Sequence, residues 1–235
     1  MRLCVDVHNH SCLSPCGSDA LLPAVLVAEA LDKGINMLGL TDHNTTRNLP
    51  AFAQVCEIAQ ITPLYGIEVT TIEEIHVLAL FAELKPALHF GSYIEEHLPP
   101  VKNNPRLFGN QLVSDEQGNI IETVDLFLHG ATDLGFDHLI DEILGLGALA
   151  IPAHIDRFAN SVIANLGFLP PLDYSAVESV AYPPIVDTGS YTVIQSSDAH
   201  FIEHIGQRTF FIETETDGFT ALHQALHEKK VQIIA

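Results

Sequence analysis

The stretch "VDVHNHSCLSPCGSD", residues 5–19, decides how the rest of the chain is read. It sets His8 and His10 behind a short apolar run and then adds Cys12, Cys16 and Asp19. On a strand, residues two apart face the same side, roughly 7 Å from one another by the rise per residue. Two imidazoles so placed can share one cation. His-x-His alone is a weak signal, so the question is whether other strands end in the same way.

They do. "INMLGLTDHN" places Asp42 and His43 at the end of a second apolar strand, and "PLYGIEVTT" places Glu68 on a third. His76 lies in "EIHVLALF", His154 ends "ALAIPAHI", and "TVIQSSDAH" ends in Asp198 and His200. Apolar strands closing on ligand-type residues recur too often for accident. Neutral imidazole with carboxylate suits zinc, manganese or iron. The candidates are too many for one ion, so at least two metals are expected, and three before two, with a carboxylate bridging.

Helical stretches separate the strands: "LLPAVLVAEALDKG", "LPAFAQVCEIAQ", "ELKPALHFGSYIEEHL", "FDHLIDEILGLG" and "GFTALHQALHEKK". "ETVDLFLHGATDL" is also predicted to be helical. Strands apolar throughout and alternating with helices predict an α/β fold of parallel strands covered by helices. Chemistry in such folds gathers at the carboxyl ends of the strands. One segment breaks the alternation. "PPVKNNPRLFGNQLVSDEQGNII" opens on two prolines and carries a hairpin signal around Glu116-Gln117-Gly118. It reads as an inserted loop or lid at about 99–120 on a single domain spanning 1–235.

Bulk properties narrow the function. The 235 residues are 47% hydrophobic and 17% charged, which suits a folded domain and not a disordered chain. Thirty acidic residues against ten basic ones give a formal net charge of -20, a field that repels phosphate polymers and disfavours long nucleic acid as a partner. Four cysteines crowded toward one end do not form a disulfide framework. No apolar run is long enough to span a bilayer. The opening passes straight into a strand, so a cytoplasmic location is expected.

The set "DVHNH", "LTDHN", "GIEV", "IHVLAL", "PAHIDR" and "SSDAH", running in order from residue 6 to residue 200, resembles the PHP (polymerase and histidinol phosphatase) superfamily. The resemblance implies a distorted (β/α)7 TIM-like barrel with metals at the carboxyl ends of the strands. It implies that His8, His10, Glu68 and Asp198 hold a first metal. Glu68 bridges to a second, which also takes His76 and His154, and His43 and His200 hold a third. Asp42 matches the motif as a residue that orients a neighbouring imidazole. The remaining ligand of the third metal falls within "SCLSPCGSD", where Cys16 or Asp19 can supply it. A thiolate there tilts the site toward softer ions such as zinc.

The reaction so implied is hydrolysis of a small phosphate ester, of the nucleotide or sugar phosphate class, by hydroxide held between metals. Arg157, three residues after His154, is the expected phosphate clamp. Lys102 and Arg106 in the insertion reach the substrate if that segment folds over. The alternatives are a 5′-to-3′ exonuclease or oligonucleotide phosphatase, and a non-catalytic metal-binding module. His89, His97, His129, His138, His204, His223 and His227 are assigned to surface or packing roles.

Overall fold

The computed structural model describes residues 1–234. In chain order its elements are β1 (Arg2–Asp6), α1 (Pro23–Asp32), β2 (Met37–Leu40), α2 (Leu49–Ala59), β3 (Thr62–Thr70), β4 (His76–Phe81) and α3 (Leu84–Glu96). There follow α4 (Pro105–Phe108), β5 (Leu112–Ser114), β6 (Ile120–Thr123), α5 (Phe136–Gly145), β7 (Leu149–Pro152), α6 (Val162–Leu166), β8 (Val177–Glu178), β9 (Val193–Ile194), β10 (Phe210–Glu213), α7 (Phe219–His227) and β11 (Val231–Gln232).

The main sheet has seven strands in the order β11-β10-β1-β2-β3-β4-β7, and β8 pairs with β9 beside it. Backbone bonds close the ring. Ser175 N donates to Ala150 O at 2.9 Å and Ile155 N to Glu178 O at 2.8 Å, which ties β8 to β7. Asp198 N donates to His8 O at 2.8 Å and His10 N to Ala199 O at 3.0 Å, which ties the end of β9 to the end of β1. The staves are therefore β1, β2, β3, β4, β7, β8 and β9, a distorted seven-stave TIM-like barrel, with β10 and β11 appended to β1.

Two expectations need correction. The staves are not all parallel: β4 runs antiparallel to both β3 and β7. A tight turn, with Thr71 N donating to Ile75 O at 2.9 Å, joins β3 to β4, and so short a connection can only make a hairpin. His76 accordingly opens β4 instead of ending it, yet it arrives at the same mouth, paired with Thr70. The second correction concerns "ETVDLFLHGATDL", which is not helical. Its first two residues end β6 and the rest runs as irregular chain to α5. Gln111 takes the carbonyls of Val124 and Leu126 through its side-chain amide, at 2.7 and 2.6 Å, so they make no helical bonds.

Period-two alternation sorts the strand residues into two apolar layers. Met37, Leu64, Leu78, Leu80, Leu149 and Ile151 pack together on one face of the sheet. Leu38, Leu40, Ile67, Val69, Val77, Ala79 and Ala150 face the other way and pack on α1, α2, α3 and α5. Along β3, Leu64, Gly66 and Glu68 share a face, so the register that buries Leu64 also carries Glu68 inward at the strand's end. A Cβ at Gly66 would lie 2.5 Å from Thr41 Cγ2 and 2.8 Å from Leu80 Cδ2, which is why the position between them has no side chain.

The segment between α3 and α5 holds α4 and the β5–β6 hairpin. A third apolar cluster, Leu13, Leu98, Val113, Val124 and Leu128, packs this segment against the loop after β1. Among the described residues no helix is long and apolar enough to cross a membrane.

Candidate metal centre

The strand ends converge. His8, His10, Glu68 and Asp198 each offer a ligand atom within 4.8 Å of the others, and so do His43, Glu68 and His76, and His10, His43 and His200. Glu68 sits at the middle: its Oε1 lies 3.3 Å from His8 Nε2, 2.8 Å from His76 Nδ1 and 3.1 Å from His154 Nε2. Its Oε2 lies 3.3 Å from His10 Nε2 and 2.9 Å from His43 Nδ1. Asp198 Oδ1 lies 3.3 Å from His8 Nε2 and 3.1 Å from His10 Nε2. His8, His10 and Glu68 are fully buried.

Outer partners settle the tautomers of the two leading histidines. His8 Nδ1 donates to Glu178, 3.1 and 3.0 Å from its two oxygens. Ser14 Oγ donates its one proton to Asp42 Oδ1 at 2.7 Å and so accepts from His10 Nδ1 at 2.9 Å. Asp42 is itself fixed by Ser11 N and Ser11 Oγ, both at 2.7 Å. Each ring therefore carries its proton on Nδ1 and turns a lone pair on Nε2 inward. Asp42 acts on His10 through Ser14.

This arrangement fits a cation. His8 Nε2 and His10 Nε2 lie 3.2 Å apart, and in the neutral rings both are acceptors facing carboxylate oxygens. Lone pairs so crowded repel unless a proton or a metal lies among them. His154 Nδ1 is buried without a hydrogen-bond partner, although such groups are nearly always paired. Protons tell the same story. Burial alone would depress His8 and His10, but the surrounding carboxylates outweigh it and hold both up, His10 at about 9. Burial prevails at His43, His154 and His200, pushing all three down, His200 to about 3. Two imidazoles thus stand in for positive charge that bound metals would supply.

Backbone strain sits here as well. His154 and Asp198 have φ of 31° and 49°, in the left-handed region that costs a residue with a side chain of order 1–3 kcal/mol. Both are pinned: His154 N donates to Glu178 Oε2 at 2.9 Å and Asp198 N to His8 O.

Every residue expected at the first two metals comes together: His8, His10, Glu68, Asp198, His76 and His154. His43 and His200 join them, and Arg157 does too, its guanidinium 2.5 Å from Asp198 Oδ2 and its side chain 41% exposed. Asp156, the other acid beside Arg157, instead accepts from Val180 N and Ala181 N. Cys16 groups with His43 and His129, one ligand atom of each within 4.8 Å. Asp19 does not join: it is exposed, and its carboxylate accepts from Asn110 Nδ2 on the excursion. Lys102 and Arg106 are also exposed, and among the described residues neither bonds to a cluster side chain. Lys102 faces Asp125 at 3.9 Å, and Arg106 lies in the first turn of the short α4, its N donating to Asn104 Oδ1.

Two residues were missed. Glu178 ends a short apolar strand in "AVESV", the same pattern that singled out Glu68 in "GIEV", and that signal sufficed to find it. His129 falls in a stretch whose spacing predicts a helix. Gly130 beside it argued against a helix, but nothing local placed it next to His43.

Residues 6–159 match the PHP domain family, about two-thirds of the chain. The chain belongs to the PHP family. No curated protein sequence matches it. Its fold is similar to that of the lesion-specific endonuclease EndoQ from Pyrococcus furiosus, at 16% identity and TM-score 0.69, covering 99% of this chain and 58% of that one. Endonuclease Q is also known in complex with a 27-mer duplex substrate with an abasic lesion at the active site. A two-domain protein from Bacteroides vulgatus containing a predicted PHP-like metal-dependent phosphoesterase shares the fold at 15% identity and TM-score 0.56, over 98% of this chain and 64% of that one. An amidohydrolase from Chromobacterium violaceum, with bound sulfate and no metal, does so at 17% and 0.58, over 98% of both chains. The PHP chain thus spans less than two-thirds of the endonuclease and of the two-domain protein.

Proposed function

We propose that the chain is a metal-dependent phosphoesterase acting on a small phosphate ester of the nucleotide or sugar phosphate class. The observation that carries this reading is the meeting of His8, His10, Glu68 and Asp198 at one mouth with a half-exposed Arg157 on its rim. His8, His10, Glu68 and Asp198 would hold one ion, and Glu68, His76 and His154 a second, with His43 beside them; zinc, manganese and iron all suit such donors. Bound there, ions supply charge that polarises a phosphoryl oxygen and makes water a nucleophile at neutral pH.

The chain's own residues do the rest. Arg157 spends one contact on Asp198 and keeps further N–H donors for non-bridging phosphate oxygens. Glu178 and the Ser14–Asp42 pair hold His8 and His10 in the tautomer that presents Nε2. The depressed His200, half-buried at the edge, stays neutral at physiological pH and can accept a proton bond there. The net charge of -20 favours a compact substrate over a polymer.

A second reading is favoured by one observation, the fold shared with a DNA lesion endonuclease. One experiment separates the two. Protein loaded with manganese or zinc is offered nucleoside and sugar monophosphates, an oligonucleotide and an abasic duplex, with His10→Ala as control. Phosphate release from a monoester, absent in the control, is expected. Strand cleavage with no monoester turnover would replace the first reading by the second. Metal uptake with no turnover of any ester would leave a binding module.

A further inference from the structure

The excursion between α3 and α5 brings aromatic rings to the mouth of the centre. We propose that Phe108 and Phe127 form a stacking shelf for the base of a mononucleotide whose phosphate lies at the mouth, so that nucleotides are preferred over sugar phosphates. The inference rests on the phosphoesterase reading above and narrows its substrate class.

The rings run outward from the centre in series. His43 and His129 meet edge to face, centroids 5.3 Å apart. His129 and Phe127 follow at 6.2 Å and 65°, then Phe127 and Phe108 at 4.5 Å and 52°. Such separations and tilts are those that aromatic pairs prefer. The two outer rings are not spent on a core. Phe127 is half-buried and belongs to none of the three apolar clusters, and Phe108 is 37% exposed. Apolar surface left in water adds nothing to the burial that drives folding. Beside a ligand mouth it is open to a ligand.

The shelf is moored at both loops that border the mouth. Asn44, fully buried and next to His43 in sequence, donates through Nδ2 to Leu128 O at 2.8 Å and Gly130 O at 2.9 Å, the carbonyls on either side of His129. Phe127 N donates to Val101 O at 2.9 Å and Asn103 N to Asp125 O at 2.7 Å, which lays the chain before α4 alongside Phe127. Asn103 Nδ2 donates to Gly109 O at 2.9 Å across α4, the helix that carries Phe108. Gly109 passes so close to the loop after β1 that a Cβ on it would lie 2.6 Å from Pro15 O.

Mouth and shelf differ in character as the two ends of a nucleotide do. Arg157 and the cation-binding cluster suit the phosphate. A base offers a flat face that an aromatic side chain stacks on, whichever base it is. A sugar phosphate presents hydroxyls there, and phenylalanine has no group to pair with them. The net charge of -20 favours a mononucleotide over a polymer.

The manganese-loaded full-length chain is offered adenosine 5′-monophosphate and ribose 5-phosphate, which differ only at the anomeric carbon, base against hydroxyl. A kcat/KM about fivefold or more higher for the nucleotide is expected. Phe108→Ala should shrink that preference by about fivefold or more, chiefly through KM. Phe168→Ala, an exposed aromatic outside the ring series, should leave it alone. Equal turnover of the two esters, or a preference indifferent to Phe108→Ala, overturns the shelf and leaves the phosphoesterase reading intact. A second measurement needs no turnover. The chain has no tryptophan, so Phe108→Trp adds a single indole. Its emission should be quenched on rapid mixing with the nucleotide and not with ribose 5-phosphate. Quenching without turnover of any ester keeps the shelf and overturns the phosphoesterase reading, whereas no quenching overturns the shelf. Quenching by an oligonucleotide at lower concentration than by the mononucleotide also overturns the assignment.

Discussion

The inner and outer edges of the centre are built on different principles. Inner residues ride on staves: His8, His10, Glu68, His154 and Asp198 are 0 to 6% exposed and lie at or just past strand ends. Their positions follow from the register that buries Leu64, Leu78 and Ile151 beneath them. The outer pair, Cys16 and His129, ride on irregular chain and are exposed and half-buried. They are held by turns and by the side-chain amides of Asn44 and Gln111. Barrel packing thus makes the inner edge rigid, while the outer edge depends on a few side-chain bonds. The inner set concentrates buried charge that only cations or protons can balance, and the outer set does not.

That contrast can be broken or sharpened in four ways. The largest effect is expected from removing metal altogether. An ion at 100 times its dissociation constant stabilises the fold by about 2.7 kcal/mol per site. For a chain of this length that is roughly 5–11 °C per site. Chelation should lower the melting temperature by at least that much, and a melt that ignores chelator would deny the inner edge its cation.

Next is Glu68→Gln, which keeps the shape but removes the charge that five histidines face. Inner-site affinity should fall more than about 100-fold, beyond the range for an outer partner. A competition titration against a chelator of known strength would show it. Glu178→Gln comes third: the carboxylate touches His8 Nδ1 and His154 N and offers no atom inward, so a loss of about 10–100-fold is expected by the same titration. A loss as large as that of Glu68→Gln would mean that Glu178 binds metal itself.

The smallest effect on the inner edge is expected from Asn44→Ala. It strips partners from Leu128 O, Gly130 O and Thr70 N, at a cost of about 1–3 kcal/mol in stability. Protection of the Cys16 thiol by zinc against a thiol reagent should weaken while inner-site affinity changes less than about twofold. If both edges weaken together, they are one unit and the comparison fails.

Legibility in the sequence followed the same line. His8, His10, His43, Glu68, His154, Asp198 and His200 stood out because each follows an apolar run whose burial dictates where the strand must end. His129 did not. Val124, Phe127, Leu128 and Ala131 are spaced as on a helix, and that spacing predicted one. In the structure Val124 and Leu128 are buried instead in the small cluster beneath the loop after β1. The carbonyls that a helix would pair internally are taken by Gln111 and Asn44, which lie 13 or more residues away in the chain. No local pattern contains such bonds. Asp19 failed for the converse reason, a ligand-type residue in a fitting stretch that Asn110 draws away.

Sequence alone determined the staves, the α/β class and the donors at their ends, because alternating burial along a strand is a local property with a period of two. It also determined the acidic character, a formal net charge of -20. Only the tertiary structure decided that β4 runs backward, that Glu178 stands behind His8, that Arg157 leans on Asp198 and that His129 meets Cys16. Those outcomes rest on contacts between residues far apart in the chain, and the physics that selects them is packing and hydrogen-bond satisfaction in three dimensions.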